Sequence, residues 1–500
     1  MSSAETVTLS LISHTNVGKT TLARTLLRRD VGEVRDEAHV TDRSEHHTLV
    51  EAEGARLTLW DTPGLGNTVR LVKRLHGQSN PIGWLLGQVW DRLADRPLWS
   101  SQQAIRNARD EADAILYLVN AAEDPGQAAY VASDLDLLTW IDRPVLVLLN
   151  QTGPALPMIA GDSGAAEARR LEQVWRAHTA SWPIVRDVLP LDAFSRCWVQ
   201  EGVLFARLRP LLPPARQAVL DRCARAWRER SHAVLRGSVA RMAGHVATTA
   251  ADRELLARAG PAPLARVPGL AGASSRRAMR RLADRLESRT RALVDGLVAE
   301  HGIEGRSRIA LQERLDEFVV VGEQWLTPAR GAVVGGAVSG ALGGLAADAA
   351  VAGLTFGGGA VLGAMLGALG GAGLAAGYRL AVGDREPAVS WSRAFLADLV
   401  RQTLLRYLAV AHFGRGRGGY EDTVLSPRWA ELVGAACADH ETRLAEAWSV
   451  AARPEPEAPA AAERLLAREL QEVTIAVLAR GYPEAAIWLD PAPPSPQPVP

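Results

Sequence analysis

Apolar and polar residues alternate over residues 6–12, a β-branched run that predicts a strand. Residues 13–18 lose the alternation and read as a turn, and 19–29 place apolar positions at helical spacing. Segments 48–52 and 56–60 pair as a hairpin around Gly54. Residues 114–119 and 145–149 are short apolar runs, the pattern of strands buried on both faces of a parallel sheet. Helical segments at 127–140 and 165–178 and a last strand at 184–191 complete a strand–helix alternation. That order predicts a doubly wound, mostly parallel α/β domain over residues 1–205.

Strand signals stop near residue 205. Residues 214–326 read as long, Arg-rich amphipathic helices interrupted near 261–272, and 388–450 as further helices broken at 413–420. A Pro/Ala/Glu linker at 454–461 leads into a last helix ending near Arg480. The chain thus divides into the α/β domain (1–205), a helical part (206–330), a Gly/Ala-rich segment (331–380), a second helical part (381–485) and a Pro-rich tail (486–500), 491–500 reading as disordered. Everything after the first domain is expected to be all-α.

Composition narrows the chemistry. Five hundred residues exceed what one core supports. Zero net charge gives no global attraction to nucleic acid, which is not an expected partner. Cys197, Cys223 and Cys437 lack metal-ligand spacing, so neither a disulfide framework nor a zinc site is expected, and a reducing cytoplasm fits. Residues 1–12 hold no basic start and no long apolar stretch, so no leader peptide is expected there. Lysine is nearly absent: Lys19 and Lys73 stand alone among 56 basic residues.

Lys19 has an evident task. The segment Ser13-His14-Thr15-Asn16-Val17-Gly18-Lys19-Thr20 joins a strand to a helix. A phosphate site needs a tight loop with inward N–H groups, a helix N-terminus behind it, a Lys for the outer phosphates and a hydroxyl for Mg²⁺. Gly18, Lys19 and Thr20 supply these, with Ser13 in place of the usual first Gly at some cost in backbone freedom. About 40 residues on, Asp61-Thr62-Pro63-Gly64 follows the strand 56–60. Asp61 can hold Mg²⁺ through water, and the Gly64 N–H can meet a γ-phosphate. Between the two motifs, Thr41 is the best-placed hydroxyl for a second Mg²⁺ ligand.

These residues resemble the Era/TrmE-like GTPases of the translation-factor class, over roughly residues 5–200. The resemblance implies that His14, Thr15, Asn16, Val17, Gly18, Lys19, Thr20 and Thr21 surround the nucleotide. It puts Lys19 on the β/γ-phosphates, Thr20 and Thr41 on Mg²⁺, Asp61 behind them through water and Gly64 at the γ-phosphate. Lys19, Thr41 and Gly64 are thereby the expected catalytic set, with Mg²⁺ as cofactor and GTP as substrate. Leu65 stands where other small GTPases place a water-orienting Gln. Asn16 occupies the position at which some relatives hold K⁺. In this family the guanine base is read by Asn-Lys-x-Asp after the fifth strand. Here that segment is Asn150-Gln151-Thr152-Gly153, so Asn150 matches and the lysine and carboxylate do not. Ala193 matches the later base-contacting segment, and Asp192 is a candidate substitute carboxylate.

Three segments carry further readings. Residues 68–107 hold Trp84, Trp90 and Trp99 among apolar residues, either as helix packed into the core or as a lid or protein-partner element. Between Arg330 and Arg379 the only charge is Asp348, and Gly336, Gly340 and Gly344, then Gly363, Gly367 and Gly371, recur at four-residue spacing. That spacing puts glycine on one face of each arm of a helical hairpin, packed within a soluble domain or entering a bilayer through 331–378. Arg276, Arg277, Arg280, Arg281 and Arg285 would either meet anionic headgroups or form a solvated face. The Gly/Arg-rich stretch 412–420 reads either as a segment that binds RNA or phosphates or as a flexible interhelical loop, the commoner use of such a segment. With 192–198, it adds a likeness to bacterial GTPases carrying the C-terminal domain of unknown function 3482. The expected protein is a cytoplasmic switch at or in the inner membrane, with a nucleotide-dependent dimer compatible with it. Its alternatives are a nucleotide-binding scaffold with little hydrolysis and a ribosome-associated factor.

Overall fold

The hairpin expected around Gly54 turns on two residues, Glu53 (φ 51°) and Gly54 (φ 70°), both left-handed, the geometry whose twist matches paired strands. It joins β2 (Glu45–Ala52) to β3 (Ala55–Asp61), the one antiparallel pair of a six-stranded sheet. The other strands, β1 (Glu5–Ser13), β4 (Ala114–Asn120), β5 (Val145–Asn150) and β6 (Val185–Pro190), run parallel in the order β2-β3-β1-β4-β5-β6. This structure is a computed structural model that describes residues 5–15, 17–28, 44–87, 96–152, 169–191, 193, 197–255, 270–303, 378–381, 388–413, 427–453 and 455–490.

The apolar runs are buried on both faces for a reason visible in β4. Ala114, Leu116 and Leu118 enter one core and Ile115, Tyr117 and Val119 the other, since successive side chains alternate. One face is covered by α1 (Lys19–Leu27) and α7 (Trp198–Leu208). The other carries α2 (Thr68–Leu75), α3 (Pro81–Gly87), α4 (Arg96–Asp110), α5 (Ala129–Thr139) and α6, a helix over 169–179. Trp84 packs half-buried on that second core, and Trp90 lies outside the described residues. In an α/β sheet the ligand crevice lies at the carboxyl ends of the strands, where the order reverses beside β1.

Beyond the sheet the chain is largely helical: α8 (Pro214–Ala251), α9 (Leu270–Glu300), α10 (Arg393–Ala411), α11 (Pro427–Asp439), α12 (Glu441–Ala451) and α13 (Ala458–Gly481). It is not wholly so. β7 (Arg253–Leu255), β8 (Tyr378–Ala381) and β9 (Ala388–Trp391) form an antiparallel sheet in the order β7-β9-β8. Strands of three or four residues are too short for alternation to register in sequence, so this sheet was not expected. The linker expected over 454–461 is also shorter, because α13 starts at Ala458 with proline in its first turn, where a missing N–H costs nothing.

The helical region shares its core with the first face of the sheet. α8 lies against β1, β2 and β3, with Arg222 paired to Glu5 at 2.5 Å and Arg216 to Asp113 at 3.2 Å. The arginines expected to face headgroups are partly committed elsewhere. Arg281 pairs with Glu254, and Arg285 with both Asp252 and Glu254. Among the described residues no helix is long and apolar enough to cross a membrane. Residues 331–377, 414–420 and 491–500 lie outside them.

Burial sets a pH dependence for this region. Desolvation pushes His245 down to about 3, and His301 and His412 each down to about 4. The unfolded chain takes up these protons near pH 6.5 and the folded chain does not. Stability is therefore full above that pH and falls as pH drops from 6.5 toward 4. Each histidine contributes roughly 1.4 kcal/mol per pH unit in that window. Urea midpoints at pH 7, 6 and 5 should decline steeply, and His245→Leu should flatten the decline; a flat wild-type profile would contradict it.

Candidate functional site

The loop between β1 and α1 ends in Gly18, whose φ of 94° is open to glycine and strained for any other residue. A Cβ there would also lie 2.7 Å from Asn150 Nδ2. Gly18 is the N-cap of α1 and offers no side-chain cap, so the first amides of α1 are left for an anion. Lys19 is buried, and its Nζ donates to Ser13 Oγ at 3.1 Å. Ser13 thus provides more than a small residue at a tight turn: it holds the ammonium. Desolvation lowers the Lys19 pKa, and the charges of Asp61 and Asp134 pull it back up.

Thr20 Oγ1 donates to Asp61 Oδ2 at 2.7 Å. Asp61 is 2% exposed, and its other oxygen, Oδ1, is buried without a hydrogen-bond partner. Burial raises its pKa to about 6 against the opposing effects of Lys19 and Thr20. A desolvated carboxylate with an orphaned oxygen beside a hydroxyl, at an open helix end, fits a divalent cation with a polyphosphate. Asp61 and Thr20 are the described residues that could hold it.

The Asp61–Gly64 turn is stitched to the loop. Thr62 Oγ1 donates to the Leu11 carbonyl at 2.7 Å, and the Leu65 N–H to the Ser13 carbonyl at 2.9 Å. Gly64 has no room for a side chain: a Cβ would come within 3.0 Å of Thr15 Cγ2 and 3.3 Å of Lys19 Nζ. Ser101 of α4 closes the far side, donating to the Gly66 carbonyl and accepting from its N–H, each at 3.0 Å.

Asn150, at the end of β5, is fully buried. Its Nδ2 donates to the Val17 carbonyl at 2.7 Å, and its Oδ1 accepts from the Ala193 N–H at 2.8 Å. Thr25 Oγ1 of α1 donates to the Ala193 carbonyl at 3.0 Å. Asn150 therefore fastens the phosphate loop to the segment after β6. Thr21 and Val17 are buried in the loop and helix, and Thr15 is half-buried. Asn16, Thr41, Gly153 and Asp192 lie outside the described residues.

One neighbour had no signal in the sequence. Asp134 sits in α5, fully buried, and accepts from Tyr117 Oη at 2.9 Å. His14 stacks on Tyr130, ring centroids 4.5 Å apart, with Nδ1 3.7 Å from Asp134 Oδ2. A carboxylate amid the apolar residues of 129–139 reads as the polar edge of a helix, and only the fold puts it beneath the loop.

Residues 8–151 match the family described as 50S ribosome-binding GTPase, and residues 186–472 match the domain of unknown function 3482. No curated protein sequence matches the chain. Similar solved structures include Aquifex aeolicus Era bound to GDP·AlF4⁻, at 17% identity over 46% of this chain and 68% of that one, with TM-score 0.30. A probable GTP-binding protein engB aligns at 14% identity over 41% and 98% of the two chains, TM-score 0.24. NFeoB from S. thermophilus, bound to mGMPPNP, aligns at 16% identity over 45% and 78%, TM-score 0.21. The strand order and the family matches define the fold, rather than these low scores.

Proposed function

Since the chain belongs to the family of the domain of unknown function 3482 and carries a GTPase domain at its N-terminus, we propose that it is a GTP-hydrolysing switch whose nucleotide state controls the helical region. The observation that carries this reading is the Lys19–Thr20–Asp61 group at an uncapped helix end, with Asp61 Oδ1 orphaned.

In this reading Lys19 binds the outer phosphates, and the amides of Thr15–Thr20 wrap them. Thr20, with Thr41, holds Mg²⁺, and Asp61 holds it through water. Bound Mg²⁺ supplies charge neutralisation on the phosphates. The Gly64 N–H meets the γ-phosphate, and Asn150 keeps the Val17 end of the loop in place. Leu65 is fully buried and apolar, so it offers no side chain to orient water, and hydrolysis rests on positioning and charge. Asn16 is proposed to hold K⁺, so turnover should be faster in K⁺ than in Na⁺ buffers.

Asp61→Asn should raise the Mg²⁺ concentration needed for half-maximal binding by about 10-fold or more, since it removes the charge that draws the cation. An unchanged Mg²⁺ dependence would contradict the role. The helical region is further proposed to meet a bilayer through 331–378, and 68–107 to meet a protein partner. Liposome flotation with and without 331–378 checks the first. The missing lysine and carboxylate after Asn150 favour a second reading, a nucleotide-binding scaffold with negligible hydrolysis. Phosphate release from GTP and from ATP separates the two: multiple turnovers with GTP support the switch, and binding without turnover supports the scaffold.

A further inference from the structure

The residue that caps the C-terminal end of the phosphate-loop helix is bound into the helical region. Arg28 caps α1 with φ 55°, a left-handed conformation that glycine or asparagine adopts at lower cost. Its side chain accounts for the choice. Nη2 donates to Glu201 Oε2 of α7 at 3.1 Å and to Ser231 Oγ of α8 at 3.0 Å. The guanidinium lies 5.2 Å from the centroid of Trp227, also on α8. Glu201 is 1% exposed and Arg28 half-buried, so this is a partly buried, charge-assisted anchor between residues 173 apart in sequence.

The surroundings leave room for rearrangement. Thr25, Arg28, Glu201, Ser231, His301 and Tyr407 line a cavity at this junction. His301 Nδ1–H donates to the Leu297 carbonyl at 2.9 Å, which leaves Nε2 a bare acceptor, buried and without a hydrogen-bond partner. The seam beside Arg28 is thus polar and imperfectly filled. α1 itself spans about 13 Å as a single rigid helix. Lys19 and Thr20 stand at one end, Thr25 in the last turn holds the Ala193 carbonyl, and Arg28 holds α7 and α8 at the other end.

We propose that Arg28 is a coupling residue, through which occupancy of the phosphate loop at Lys19 and Thr20 is read by α7 and α8 at Glu201 and Ser231. The inference rests on the nucleotide-binding reading above, and it names the contact by which that state reaches the helical region.

Hydrogen exchange of the full chain, with and without a saturating Mg²⁺ complex of a non-hydrolysable GTP analogue, tests it. In the wild type, exchange over 198–208 and 227–235 should slow by about 5-fold or more. Glu201→Gln should still bind the analogue yet lose most of that change, and Arg28→Lys, which keeps the charge without the planar fork, should retain part of it. If Glu201→Gln does not fold, the double variant Arg28→Met with Glu201→Leu replaces the ion pair by apolar volume and serves instead. Binding by the wild type with no change in α7 and α8, or an undiminished change in the variants, overturns the coupling alone. Absence of any binding by the wild type overturns the nucleotide reading, and the coupling with it.

Discussion

Lys19→Ala is expected to weaken Mg²⁺-nucleotide binding by about 30-fold or more, because truncating one member of a buried charge pair costs roughly 2–5 kcal/mol. Lys19 is 7% exposed and is held by Ser13 Oγ with Asp61 and Asp134 acting on its charge. Its loss removes the cation that the phosphates would meet, and takes away the nearby positive charge that acts with buried Asp61 and Asp134. Calorimetric titration of the variant checks this, with Lys73→Ala as a control, since Lys73 is an exposed residue of α2. A fall of less than about 3-fold would remove Lys19 from the site.

Asn150→Ala is expected to cost about 2–6 kcal/mol of stability and to loosen the phosphate loop. The Val17 carbonyl and the Ala193 N–H would each be buried without a partner, at about 1–3 kcal/mol apiece. Asn150→Asp sharpens the test. It still accepts from Ala193 but sets a second oxygen against the Val17 carbonyl, so it should bind nucleotide no better than the alanine variant. Urea unfolding and nucleotide titration of both variants read the two effects. An aspartate variant with wild-type behaviour would show that Asn150 does not tie the loop down.

The part of this site legible in the sequence is the part built from local geometry. Gly18, Lys19 and Thr20 are adjacent because a tight turn into a helix requires it, and Asp61 to Gly64 form one turn at a strand end. The pattern that singled out Asn150 and Ala193 concerns base recognition, and their contact with each other is visible only in the fold. What escaped is long-range. Asp134 reaches the loop only because α5 packs against β4, and Arg28 finds Glu201 only because α7 crosses the face that α1 covers. The core shared by the sheet and the helical region was not legible, since periodicity reports which face of a helix is apolar and not what covers it. β7, β8 and β9 were missed because each is too short to carry a period.

The loop between β1 and α1 is proposed to bind a Mg²⁺-nucleoside triphosphate. Isothermal titration of the full chain with a non-hydrolysable GTP analogue, in Mg²⁺ and again in excess chelator, tests it most directly. A single site is expected, weakening by about 10-fold or more when Mg²⁺ is removed. No binding, or binding of equal strength in chelator, would contradict it.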